Sequence, residues 1–385
     1  MKFRILTMML AGAAAIPAAM CAEPQEGSGE TDGYRLVWQD LFDNGILNDL
    51  RWNVEQNANG GGNHELQYYA DREENVRVGD DGQGNGCLIL TARRENLGGR
   101  QFTSGRVNSH DKVAFTHGKV EASIKLPPTA DGLWPAFWMM GNDYGEVGWP
   151  KSGETDILEM GNADGIRNGT QDRYFNGAMH WGQGWPAGSY ARATTKSYSL
   201  QDGEFHLFTA VWDENEMRMY VDLDRQPVQT PYFRMGITHD DPGNEWAPGN
   251  YFHKLNFIIF NMAVGGDFTG IHEAGNITAL NDANGNEASM YVNYVKVYQK
   301  GTADEDLYTI VPGDEASVAD VSADRTQIAL RGGIVTAPGA ASIAVYDATG
   351  RPVAFGEGDR LDLAGLSPGI YVIAAGGSTL KTVIR

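Results

Sequence analysis

The chain has 385 residues, enough for two or three domains at about 100–200 residues each, and 42% of them are hydrophobic, as in an ordinary packed protein. Asp and Glu number 50 against 30 Lys and Arg, a formal net charge of −20, and no basic run offsets it, which excludes nucleic acid as a partner. The two cysteines, Cys21 and Cys87, are too few for a disulfide framework or a Cys-rich zinc site.

Residues 1–22 have the form of an export signal peptide: Lys2 and Arg4 make a basic start, residues 5–20 are apolar and small, and polar chain resumes at Glu23. The apolar stretch is too short and wrongly flanked for a membrane anchor, and no later stretch approaches ~18 apolar residues. A secreted or cell-surface protein with no membrane-spanning segment is therefore expected. Cys21 at the end of the stretch is an alternative lipidation site for outer-membrane attachment, although Met20 before it is bulkier than such a signal normally carries. Residues 23–32 are small and polar and read as a linker.

From residue 33 to about 299 the chain shows short alternating runs, among them 118–126, 206–212, 218–222 and 291–298. Period two, β-branched and aromatic content, and Gly/Asn/Asp punctuation predict strands, and no long amphipathic helix competes with them. A two-sheet sandwich of about 265 residues follows. All nine tryptophans lie between positions 38 and 246. After Lys300 the composition shifts: residues 300–314 read as an acidic linker, and 315–385 as a small second β module with a hairpin turn at Asp347-Ala348-Thr349-Gly350.

The densest chemical signal is Glu154-Thr155-Asp156-Ile157-Leu158-Glu159. On a helix the three acids would point about 0°, 200° and 140° around the axis and would not converge. On a regular strand Glu154 and Asp156 share a face and Glu159 takes the other, unless one extra residue bulges out after Asp156 and restores the phase. With the bulge, the two Glu Cα atoms lie ~13 Å apart, and leaning side chains bring the carboxyls to roughly 5–6 Å, the separation of retaining glycosidases. In that chemistry one carboxylate attacks the anomeric carbon and a protonated partner delivers its proton to the leaving oxygen. Asp156 between them would share a proton with one Glu. A solvated acidic edge strand and a carboxylate metal site are the competing readings. Trp134, Trp138 and Trp149 flank the acids, and aromatic faces suit sugar rings while apolar neighbours raise a Glu pKa.

At these residues the sequence resembles glycoside hydrolase family 16, and within it the laminarinase-like branch of endo-β-1,3-glucanases. Colinear blocks carry the resemblance across roughly 34–299, including Trp38-Gln39-Asp40, Gly62-Asn63-His64-Glu65-Leu66-Gln67-Tyr68-Tyr69, Ser104-Gly105-Arg106, Gly132-Leu133-Trp134-Pro135-Ala136-Phe137-Trp138, the acidic motif, Met179-His180 and Asn261-Met262-Ala263-Val264-Gly265-Gly266. The resemblance implies an all-β fold, a β-jelly-roll sandwich with a concave catalytic cleft. Glu154 is then the nucleophile, Asp156 the assisting acid and Glu159 the general acid/base. It further implies Trp134 and Trp138 near the central subsites, Asn63 and Arg106 on the donor side, and His180 reaching toward the acid/base or the bound sugar, with Trp149 as another substrate-binding residue. Arg106 read by itself fits a surface ion pair equally well, Asn63 a turn, and His206 a satisfied core histidine.

Two departures from the family pattern stand out. Thr155 replaces an Ile or Val that points away from the cleft, which is tolerable. Asn293 stands where members that bind a structural calcium ion often carry Asp, and an amide is a weaker ligand for a hard cation. No cofactor is expected to be required for catalysis. The C-terminal stretch 361–372 followed by 381–384 resembles a type IX secretion sorting domain, with a plain immunoglobulin-like or carbohydrate-binding accessory domain as the alternative.

The function implied is a secreted, monomeric, retaining endo-β-1,3-glucanase acting on laminarin-type polysaccharide. The alternatives are a family activity on mixed-linkage β-glucan or agar-type galactan, and a non-catalytic β-glucan-binding surface protein. The two residues between Asp156 and Glu159 favour the laminarinase branch over mixed-linkage enzymes, which usually have one fewer.

Overall fold

The structure, a computed structural model, describes residues 33–311 and 328–384 apart from 240, 242, 332, 348–350, 376 and 377. The export segment with Cys21, the 23–32 linker and most of the turn after Asp347 lie outside the described residues.

The body is a sandwich of two mainly antiparallel sheets, a β-jelly roll. In the site-bearing sheet the strands run in the order Gly188–Thr195, Tyr174–Trp181, Glu154–Met160, Leu133–Gly141, Asn256–Val264, Arg106–Asn108 and Asn53–Val54. The opposite sheet is built around Gly86–Arg93, Gly118–Lys125, His206–Trp212 and the long Glu287–Gln299 strand.

Strand alternation decides what each face carries. On Asn256–Val264, Ile258, Phe260, Met262 and Val264 enter the shared core, which leaves Phe257, Ile259, Asn261 and Ala263 on the outer face. On Leu133–Gly141, Leu133, Phe137 and Met139 are core residues, so Trp134, Ala136, Trp138 and Met140 share the outer face. Phe260 holds the core centrally, stacked on Phe137 at 4.9 Å between centroids and tilted against Trp52 at 5.9 Å. Trp52 in turn donates its indole N–H to Asp40 at 2.9 Å, which satisfies the polar edge of a buried ring.

Residues 300–314, read from sequence as a linker, contain the strand Asp306–Thr309, which pairs with Val113–Thr116 and extends the site-bearing sheet. Their acidic composition hid this, because Leu307 alone packs on the core while its neighbours face outward. Beyond the body, a three-stranded and a four-stranded sheet from Ala329 to Ile384 enclose a separate small core of Val335, Ile343, Val345, Leu363 and Ile373. Among the described residues no helix is long and apolar enough to cross a membrane.

Candidate active site

The acidic strand carries the bulge expected of it. On the Tyr174–Trp181 side Asp156 faces Ala178 and Glu159 faces Asn176, three steps against two. On the Leu133–Gly141 side Asp156 faces Trp138 while Leu158 faces Phe137, so Ile157 is the extra residue. Ile157 and Leu158 consequently both enter the core, and Glu159 returns to the face that holds Glu154 and Asp156. A regular strand would have buried Glu159 among methionine and phenylalanine side chains.

Cross-strand pairing surrounds the three acids with polar and aromatic groups. Glu154 lies opposite His180, and one carboxylate oxygen from each of Glu154 and Asp156 and a His180 ring nitrogen all fall within 4.8 Å of one another. His180 Nε2 is 3.5 Å from Asp156 Oδ2. His180 thus lies beside Asp156 and Glu154, while the bulge sets Glu159 opposite Asn176, four residues away along the neighbouring strand. These same three groups are where a metal ion would find two carboxylates and an imidazole among the described residues.

Burial governs the charges. Loss of water pushes Glu154 up to about 7, a rise opposed by the Arg106 charge and the Trp149 indole N–H. Glu159 is pushed to about 8 by burial and then by the Glu154 charge. Asp156, only 5% exposed, is held well above the usual carboxylate range by burial, by Glu154 and by Glu159. Burial lowers His180, which keeps its imidazole neutral near pH 7. The two glutamates differ in what acts on them: the Arg106 charge opposes the rise at Glu154, whereas the Glu154 charge adds to the rise at Glu159.

Arg106 is the positive charge that favours ionised Glu154. Its Nε lies 2.8 Å from Glu55 Oε1, and its guanidinium sits over the Trp138 ring at 4.8 Å from the centroid. Trp138 donates its indole N–H to Asn261 Oδ1 at 2.7 Å, and the Asn261 amide donates to the Tyr69 hydroxyl at 3.2 Å. Tyr69 donates in turn to buried Glu65 at 3.1 Å. Arg106 does form an ion pair, then, with Glu55, and its charge is also felt at Glu154. Replacing Arg106 by Gln should raise the Glu154 pKa, so the acid limb of kcat/KM against pH should move to higher pH, since the nucleophile must be ionised. An acid limb that stays in place would remove Arg106 from the site's electrostatics.

Tyr69 and Asn261 enter the sequence reading only as members of family-like blocks, with no role of their own, although Asn261 is an amide on the outer face of an otherwise apolar strand. Glu55 does not enter it, because its segment has no local marker of function. Asn176, opposite Glu159, has a buried Oδ1 with no hydrogen-bond partner in the described chain, suited to accept a ligand hydroxyl.

The remaining candidates divide. Trp134 is 8% exposed and stacks on Phe268 at 4.6 Å. Trp149 is 39% exposed in the turn before Glu154. Asn63 sits in a glycine turn, its amide directed at the Gly61 carbonyl and its own carbonyl accepting from Asp267 N–H, so its side chain serves the turn that abuts the Phe268 segment. His206 is a core histidine, 1% exposed and bonded to Asp222 and Asp202.

At the position compared with calcium-binding members, the Asn293 amide donates to the Gly86 carbonyl at 2.8 Å, while Asp81 pairs with Lys125 Nζ at 2.6 Å.

With this geometry in view, comparison with known proteins is informative. Residues 63–234 match the glycosyl hydrolases family 16 profile. The clotting factor G alpha subunit of Tachypleus tridentatus is 32% identical over 69% of this chain, and the chain spans about a third (34%) of that relative's length. A glucan endo-1,3-beta-glucosidase of Cryptopygus antarcticus is 36% identical over 61% of this chain and 82% of its own. Among solved structures, a family 16 protein of the Bacteroides ovatus mixed linkage glucan PUL, in complex with a G4G4G3G product, is 37% identical with a TM-score of 0.58, covering 68% of this chain and 99% of that one.

Proposed function

The chain belongs to glycosyl hydrolases family 16, and from that premise we propose that it is a retaining endo-glycosidase cleaving β-1,3-linked glucan of the laminarin type. The observation that carries the proposal is the bulged strand, which brings part-buried Glu154 and Glu159 onto one face with buried Asp156 between them. The ionised Glu154 attacks the anomeric carbon and forms a glycosyl ester as the glycosidic C–O bond breaks. Glu159 gives its proton to the departing oxygen, then takes one from the water that hydrolyses the ester. Asp156, kept protonated by its neighbours and backed by neutral His180, can donate a hydrogen bond to Glu154 in the resting enzyme and release it as that carboxylate is consumed.

The β-1,3 preference is supported by the two-residue spacing before Glu159 and by the Cryptopygus antarcticus relative. A second reading, mixed-linkage β-glucan, is favoured by the Bacteroides ovatus structure and its product. Incubation with laminarin, curdlan, lichenan and agarose decides between them. Oligosaccharides from laminarin and curdlan, released as the β-anomer in proton NMR, are expected. Turnover of lichenan alone would transfer the assignment to mixed-linkage glucan, and no turnover of any would overturn both. Export through residues 1–22 and a sorting role for the C-terminal module belong to this proposal as well, supported by sequence pattern. N-terminal sequencing and localisation of the mature protein test them.

A further inference from the structure

Tryptophan side chains continue outward from the nucleophile. Trp149, in the turn that leads into Glu154, is 39% exposed, and its ring lies 6.1 Å from that of Trp185 with 33° between the planes. Trp185 is 84% exposed, more than any other large aromatic residue among those described. It sits in the turn between the Tyr174–Trp181 and Gly188–Thr195 strands, on the opposite side of the acids from Arg106 and Trp138.

That turn is fixed rather than loose. Trp181 donates its indole N–H to the Trp246 carbonyl at 2.9 Å, and Gln183 donates to the Tyr251 hydroxyl at 3.0 Å. The Trp246 ring lies so close over Gly182, at φ +127, that a Cβ there would come within 2.6 Å of it. A rigid support therefore displays a large apolar face to water, where it contributes nothing to the core. An indole carries ~150–250 Å² of such surface, which gains only when something flat and weakly polar covers it.

We infer that Trp185, with Trp149, forms an outer subsite that stacks a glucosyl residue of the polysaccharide beyond the point of cleavage. The occupant follows from continuity: the strip begins at Glu154, and a β-linked glucose ring leaving the acids presents C–H faces to it, with its hydroxyls projecting at the rim. The inference rests on the β-glucan reading of the site. Trp185 is a positioning residue, remote from the reacting atoms, so its contribution scales with chain length.

The test uses the full chain and the variants Trp185→Ala and Trp185→Phe, assayed on laminarin and on an aryl laminaribioside too short to reach the turn. For Trp185→Ala, the ratio of kcat/KM on laminarin to that on the aryl glycoside should fall roughly five- to twentyfold, carried by KM, and Trp185→Phe should restore most of it. Addition of laminarin oligosaccharides should also shift the wild-type tryptophan emission to shorter wavelength, with a smaller shift in Trp185→Phe. An unchanged ratio, or an emission shift independent of position 185, overturns the subsite while wild-type turnover of laminarin stands. A wild type inactive on every β-glucan overturns the function and this inference with it.

Discussion

Glu154→Gln should lower turnover of laminarin by about 10⁴-fold or more while the variant still binds the polysaccharide. The amide keeps the shape of the carboxylate and its neighbours, so the cleft persists, but it has no charge with which to attack the anomeric carbon. Affinity electrophoresis in laminarin gels reads the binding, and reducing-sugar release reads the turnover. A second consequence has a definite sign. The Glu154 charge helps to hold Glu159 high, so removing it should lower the Glu159 pKa, visible in the carboxyl carbon shift of labelled protein. Glu154→Ala with added azide should yield an α-glycosyl azide, because the small anion enters from the face the carboxylate used. Reducing-sugar release at the wild-type rate from Glu154→Gln would end its assignment as nucleophile.

Glu159→Ala should slow hydrolysis of natural glucan by about 10²–10⁴-fold, the usual contribution of a positioned general acid. The loss should shrink for aryl glycosides whose leaving groups need no proton, and azide should restore turnover with a β-glycosyl azide as product, since the glycosyl ester still forms on Glu154. The opposite stereochemistry of the two azide products separates the roles of the carboxyls independently of the size of either rate loss. In the wild type, activity should rise as Glu154 ionises and fall as Glu159 loses its proton, and the alkaline limb should disappear in Glu159→Ala. An alkaline limb that survives would assign the proton donor elsewhere.

Much of the site could be read directly because it is local. Six consecutive residues hold all three acids, and the mismatch between their spacing and a period of two requires a bulge if they are to act together. Trp134 and Trp138 are singled out by their closeness in sequence to the acids and by the family resemblance, and His180 by the resemblance alone. Which side chains His180 meets depends on how two strands slide past one another, which only the register fixes. Residues 306–309 were read as linker for a similar reason: a four-residue edge strand offers too few apolar side chains to announce itself before its partner at 113–116 is known.

Composition and alternation mark the chain as all-β, and the acidic motif with its colinear flanking blocks carries the resemblance to glycoside hydrolase family 16 through which Glu154 and Glu159 are singled out as a pair. Tertiary structure decided what sets the acidity of that pair and what lies around it. Arg106, Tyr69 and Asn261 converge from strands far apart in the chain, and the effect of the Arg106 charge on Glu154 is strong only where burial has removed water from between them. The tryptophans make the same point: Trp212 is buried and Trp185 stands in solvent, a difference no window of sequence contains, because exposure is a property of what the rest of the chain does or does not place on top of a ring.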